Sequence, residues 1–156
     1  MAKGASSQKE LEAAILSQLK VVLEEQVADT IKEEQSNMVH KVVYERYTPN
    51  TPDNEPYQYV RRKDDGGLSD TRNMDHEARF TGRHSVDLYV TNKTTGVDRD
   101  GNPTNQLIAE TVEEGQTAVG QGTYDNPRPP YADPRPFTLA TMEELKATGK
   151  LSETFK

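Results

Sequence analysis

The N-terminal quarter of the chain carries the pattern that most restricts its fold. Leu11, Ile15, Leu19, Leu23, Val27 and Ile31 recur every four residues, and Leu16 and Val22 widen the stripe. That spacing belongs to one face of a helix, with acidic and basic side chains filling the other faces. Ser7 precedes the run and Glu10 follows it by three residues, the pairing that closes a helix N-terminus on its own backbone amides. The stripe predicts a helix over residues 7–35, buried along this face as an ordinary core helix or, alternatively, given in part to a contact between subunits. Val39, Val43 and Tyr47 keep the spacing, while Ser36-Asn37 offers a break. A helix running on through them would be about 60 Å long, more than one small domain can cover.

The remainder is poor in core material. Leu, Ile, Val and Phe together make about 18% of the 156 residues, close to the level at which chains stop folding. The periodic segments argue for a thin core joined by polar connections and completed by neighbouring subunits. Pro49, Pro52 and Pro56 predict a loop, and "YQYVRR" then leads into "DDGGLSD", whose paired glycines predict a tight turn. "HEARF" and "SVDLYVTN" predict two strands with a turn near Gly82. Val86, Leu88 and Val90 alternate with Asp87, Tyr89 and Thr91 as in a half-buried sheet. Residues 93–106 read as a polar loop. "QLIAETVEEG" predicts a short helix with Leu107, Ile108 and Val112 on one face and Gly115 as its C-cap.

Residues 116–136 hold five of the nine prolines, which bias the backbone to an extended form without ladder hydrogen bonds. They read as an arm, with Tyr124, Tyr131 and Phe137 as apolar anchors on another polypeptide or, alternatively, with Phe137 and Leu139 folded back onto the local core. A final helix is predicted from Thr138 to Thr148, with Leu151 and Phe155 extending it after a break at Gly149. The expected fold class is α+β: a long N-terminal amphipathic helix, a small antiparallel sheet, short helices and a proline-rich arm before a C-terminal helix. We read residues 1–156 as a single domain, with 116–136 as the arm and 138–156 as the C-terminal helical segment.

Catalytic patterns fail on inspection. There is no cysteine, so thiolate nucleophiles, disulfides and thiolate metal sites are excluded. "DRDGN" at 98–102 begins like a calcium loop, but Ala109 stands at the twelfth position where a bidentate Glu is needed. His40, His76 and His84 are scattered; His76 and His84, on neighbouring predicted strands, would still lack the further ligands zinc requires. Ser85 has no surrounding GxSxG, and neither a P-loop nor GxGxxG occurs. Glu113 and Glu114 are adjacent on a helix, so their carboxylates diverge into solvent. Tyr57, Tyr59, Arg61 and Arg62 could stack on nucleic acid, but Asp64-Asp65 offsets the charge. The expectation is a protein that is not an enzyme, with no cofactor and no metal. No run approaches the roughly 18 apolar residues of a membrane span. A net charge of −7 disfavours sequence-specific DNA binding, since phosphate affinity comes from Lys and Arg.

The order of the pieces is informative: the long helix, then "VYERYTP", "YQYVRRKDDGGLSD", the strands ending in "YVTN", "LIAETVEEGQ", and "RPF" before "MEELKATGK". Over roughly residues 7–156 it resembles the small neck or minor tail component proteins of long-tailed double-stranded DNA phages. The matching positions are Tyr44, Tyr47, Arg61, Arg62, Gly67, Leu68, Glu113, Gly115, Arg135, Pro136 and Phe137. The resemblance implies a structural subunit of the head–tail connection, forming or joining a ring around the DNA path. Its partners would be copies of itself, portal or head-completion proteins, and tail-tube or tail-terminator proteins. Double-stranded DNA would pass through the lumen without sequence-specific binding, helped by an acidic interior. The expected place is the virion neck or tail, after assembly in the bacterial cytoplasm. Competing expectations are a tail-terminator ring subunit and a monomeric acidic adaptor or inhibitor.

Overall fold

The computed structural model describes residues 7–46, 62–97, 102–115 and 133–154. Tyr47, Arg61, Tyr124, Tyr131, Phe155 and all but the last residues of the expected arm lie outside the described residues. The fold class is α+β, as the periodicities predict.

One helix runs from Gln8 to Tyr44, about 55 Å at the α-helical rise. Ser7 caps it, its hydroxyl accepting from the Glu10 amide at 3.3 Å. Ser36-Asn37 do not break it. It consists of α1 (Gln8–Val22), a π-helical segment (Leu23–Val27), α2 (Ala28–Met38) and a second π-helical segment (Val39–Tyr44). In the π segments the amides reach back five residues, as Ala28 does to Leu23 and Glu45 to His40.

These wide turns follow from the apolar spacing. Residues four apart advance about 400° on an α-helix, so a four-residue repeat drifts by about 40° per step. Between Leu11 and Leu23 the stripe swings by about 120°, and the π turns, with their extra residue, partly reset it. The expected burial along the whole face is therefore corrected. Leu11 and Ile15 are 52% and 58% exposed and α1 contains no buried residue, whereas Val27, Ala28, Met38, Val39 and Val43 are buried.

A hairpin lies along this helix. Strands β1 (Met74–Phe80) and β2 (Val86–Asn92) pair antiparallel, with Ala78 opposite Leu88. Met74, Ala78, Val86, Leu88 and Val90 share the face turned towards the helix; Asp75, Glu77, Asp87 and Tyr89 share the exposed one. The Ala78 amide donates to Glu24 at 3.1 Å, and His84 approaches Glu12 at 3.9 Å. His76 and His84 do not face each other: His76 opposes Val90, and His84 sits in the turn.

The expected polar loop at 93–106 is also corrected. It contains β3 (Thr95–Val97) and β4 (Pro103–Leu107), a second antiparallel pair with an irregular register. Proline is tolerated at the first residue of a strand, so Pro103 starts β4 without costing a ladder bond. Then come α3 (Ile108–Glu114), closed by Gly115 at φ 76°, α4 (Phe137–Thr148), and α5 (Lys150–Thr154) after the left-handed Gly149. The main core cluster joins the end of the long helix to Leu68, Ala109 and Phe137, around Val39 and Val43. Alongside it α4 packs on α2, where Lys150 pairs with the buried Glu34.

Candidate assembly surface

The segment from Arg62 to Asn73 is a clasp built from its two glycines. The Gly67 carbonyl accepts from the Asp70 amide at 3.2 Å and from Asn73 Nδ2 at 3.1 Å, with Thr94 Oγ1 at 3.2 Å. Asn92 Nδ2 donates to the Leu68 carbonyl at 2.8 Å, tying the end of β2 to the same turn. The backbone passes so close to itself that a Cβ on Gly67 would lie 2.2 Å from the Lys63 carbonyl oxygen. No other residue fits there.

Carboxylates hold the clasp from both sides. Asp70 is buried and accepts from the Gly66 amide at 2.7 Å, the Arg72 amide at 2.9 Å and the Arg72 guanidinium at 2.6 Å. Those bonds, led by the guanidinium, hold its carboxyl well below the usual carboxylate range. Asp64 accepts from the Ser69 hydroxyl at 2.6 Å and lies 2.9 Å from His40 Nε2, and both contacts lower its pKa. The Ser69 amide donates to the Tyr44 hydroxyl at 3.2 Å, and Arg62 donates to the Thr95 carbonyl at 2.5 Å. The clasp thus fastens the end of the long helix, β2 and β3 to one turn. Among the described residues its polar groups mostly bond one another, so the clasp organises structure.

A second junction receives the C-terminal helices. The Val112 carbonyl accepts from the Arg135 amide at 2.8 Å, and Glu113 accepts from the Thr138 amide at 2.6 Å, capping α4. The expectation that Glu113 points idly into solvent is corrected: α4 begins at a proline-led turn with no capping side chain of its own, and Glu113 takes that role. Phe137 is 1% exposed and sits in the core. It is not available as an anchor on another polypeptide, which corrects that expectation; its ring fills the gap between Val39, Val43 and Ala109. Leu139, expected to share that core in the folded-back alternative, is instead 53% exposed.

Of the sequence-predicted interaction residues, the structure brings Tyr44 and Arg62 to the clasp and Arg135 and Phe137 to the junction. Tyr47, Arg61, Tyr124 and Tyr131 lie outside the described residues. Among the described residues no group of three or more His, Asp or Glu converges to hold a metal ion, and no helix is long and apolar enough to cross a membrane.

Two stretches of apolar surface stand out among the described residues. One is the outward side of α1, with Leu11, Ile15 and Val21 exposed. The other is a groove of about 570 Å³ between β2, α2 and the C-terminal helices, lined by Ile31, Leu88, Val90, Met142, Leu145 and Leu151 among others. Sequence reading missed the groove. Its signal was the alternation in β2 together with Met142 and Leu145, but neither pattern says that the two elements stand apart. A protein-family model described as YomN matches residues 7–156. No curated protein and no solved structure matches the chain.

Proposed function

The chain belongs to the YomN family, a phage-derived family of the Bacillus phage SPbeta type, and on that premise we propose that it is a structural subunit of the phage head–tail connection. In this reading it is a neck or tail-completion protein that joins a ring of its own copies between head and tail. The observation that carries the proposal is the exposed side of α1. A helix that reaches well past the main core cluster, with Leu11, Ile15 and Val21 turned outward, suits burial against a neighbouring subunit. A small core of this kind is stabilised by such burial, because binding that favours the folded state adds to its stability. The net charge of −7 suits a wall past which DNA slides without adhering.

Interruption of the gene in the phage genome tests the reading. Heads and tails should then accumulate unjoined, and supply of the protein in trans should restore plaques. The paired change Leu11→Ser with Ile15→Ser should leave the protein folded yet reproduce that defect. Normal joined particles without the gene, or purified virions that lack the protein, would overturn the proposal.

A further inference from the structure

The β1–β2 hairpin has two edges, and the structure treats them differently. The bonds from the Thr81 amide to Ser85 and from the Lys93 amide to Asn73 set the phase of the ladder. In an antiparallel pair, hydrogen-bonded and non-bonded residue pairs alternate. The pairs Phe80–Val86, Ala78–Leu88 and His76–Val90 are therefore non-bonded, and their amides and carbonyls point away from the hairpin. On the β1 side the outward Ala78 amide is taken by Glu24. On the β2 side no described residue bonds the outward groups of Val86, Leu88 or Val90.

Leu88 and Val90 of that edge line one wall of the apolar groove. The opposite wall carries Met142, half exposed, with Leu145 and Leu151. Gln35 lines the same groove; it is buried, and its side-chain oxygen has no hydrogen-bond partner among the described residues. Lys146, at the lip, is the single charged residue among those lining the groove. Each feature asks something definite of an occupant. Unpaired strand groups ask for an extended backbone, the apolar walls for side chains alternating inward, the orphaned oxygen for one inward donor, and Lys146 for an acidic flank.

We propose that this groove receives an extended segment of another polypeptide, added as a third strand beside β2. Backbone bonds to Val86, Leu88 and Val90 supply the register, and the inward side chains fill the space over Met142, Leu145 and Leu151. A tyrosine or tryptophan placed inward donates a hydrogen bond to the Gln35 side-chain oxygen. A second copy donating its own β2 fits less well, because the helix beneath the partner's hairpin would meet α4 and α5. The inference does not depend on where in the virion the protein sits.

The test uses the full-length protein and a synthetic ten-residue peptide that alternates valine with threonine, carries tyrosine at a central inward position and ends in aspartate. Saturating peptide should slow exchange of the Leu88 and Val90 amide protons by about tenfold or more, read by nuclear magnetic resonance. Methylation of the peptide's alternate backbone amides should abolish binding. Met142→Lys should abolish it as well, without altering the circular dichroism or melting temperature of the protein. Exchanging the peptide's tyrosine for phenylalanine should weaken binding about fivefold to the natural protein and not at all to Gln35→Leu. Equal binding of the methylated peptide, or unchanged amides at saturation, would sink the proposal. So would protection of both amides in the dilute isolated chain, since a stretch of the same chain would then fill the edge. Protection that grows with protein concentration alone would assign the edge to a second copy and overturn it equally.

Discussion

The two halves of the long helix carry the same four-residue apolar repeat and meet opposite fates. Between Val27 and Val43 the helix is wrapped: β1 and β2 on one side, α4 on another, the clasp and Phe137 at its end. Between Gln8 and Val22 it has no buried residue, although the hairpin turn reaches as far as Glu12. The hairpin covers one strip of α1, and the drifting stripe carries Leu11 and Ile15 out of that strip. An amphipathic period thus reports that a face exists; contact with other elements decides whether it is buried.

The contrast can be broken most forcefully at its buried end. Phe137→Ala should cost about 4 kcal/mol, the loss of a fully buried ring plus its cavity, measured by urea unfolding. A cost under 1 kcal/mol would mean that the helix end is not the centre of stability. Gly67→Ala should cost about 3 kcal/mol, because the new methyl group meets the Lys63 backbone, which cannot swing aside as a side chain would.

Asp70→Asn sharpens the comparison through pH. The charged hydrogen bonds lost should cost about 2 kcal/mol at neutral pH. The folded carboxyl titrates below its unfolded value, so its contribution is complete above about pH 4 and is lost as pH falls through the folded value. The gap between parent and variant should therefore narrow below that pH, and a constant gap in acid would remove Asp70 from the account. The smallest effect belongs to the exposed half. Ile15→Ser should change the stability of the isolated chain by no more than about 0.5 kcal/mol, and a loss of several would show that α1 is covered after all.

Much of this fold was legible because its signals are local. Ser7 and Glu10 start the helix, Val86, Leu88 and Val90 declare a half-buried strand, and Gly149 separates α4 from α5 through a left-handed turn that other residues adopt at a cost. These depend on neighbours within a few residues, so spacing and residue type suffice. The candidate assembly surface was only half legible. The apolar residues of α1 were visible as a stripe, but their exposure was not, and the groove was signalled only by the alternation in β2 and by Met142 and Leu145, which say nothing of the space between them.

What the sequence by itself determined is the set of elements: a long capped helix, one hairpin, a glycine turn and a C-terminal helical pair. Only the tertiary structure decided which half of the helix is core, that Glu113 caps α4, that Glu24 takes an outward amide of β1 while no described residue bonds the outward groups of Val86, Leu88 or Val90, and that Thr95–Val97 and Pro103–Leu107 pair. The physical reason is range. A capping bond or an apolar alternation is satisfied within one turn or one strand. Burial and edge closure depend on side chains far away in the chain, such as Glu24 to Ala78 or Glu113 to Thr138, whose meeting is set by how the whole molecule packs.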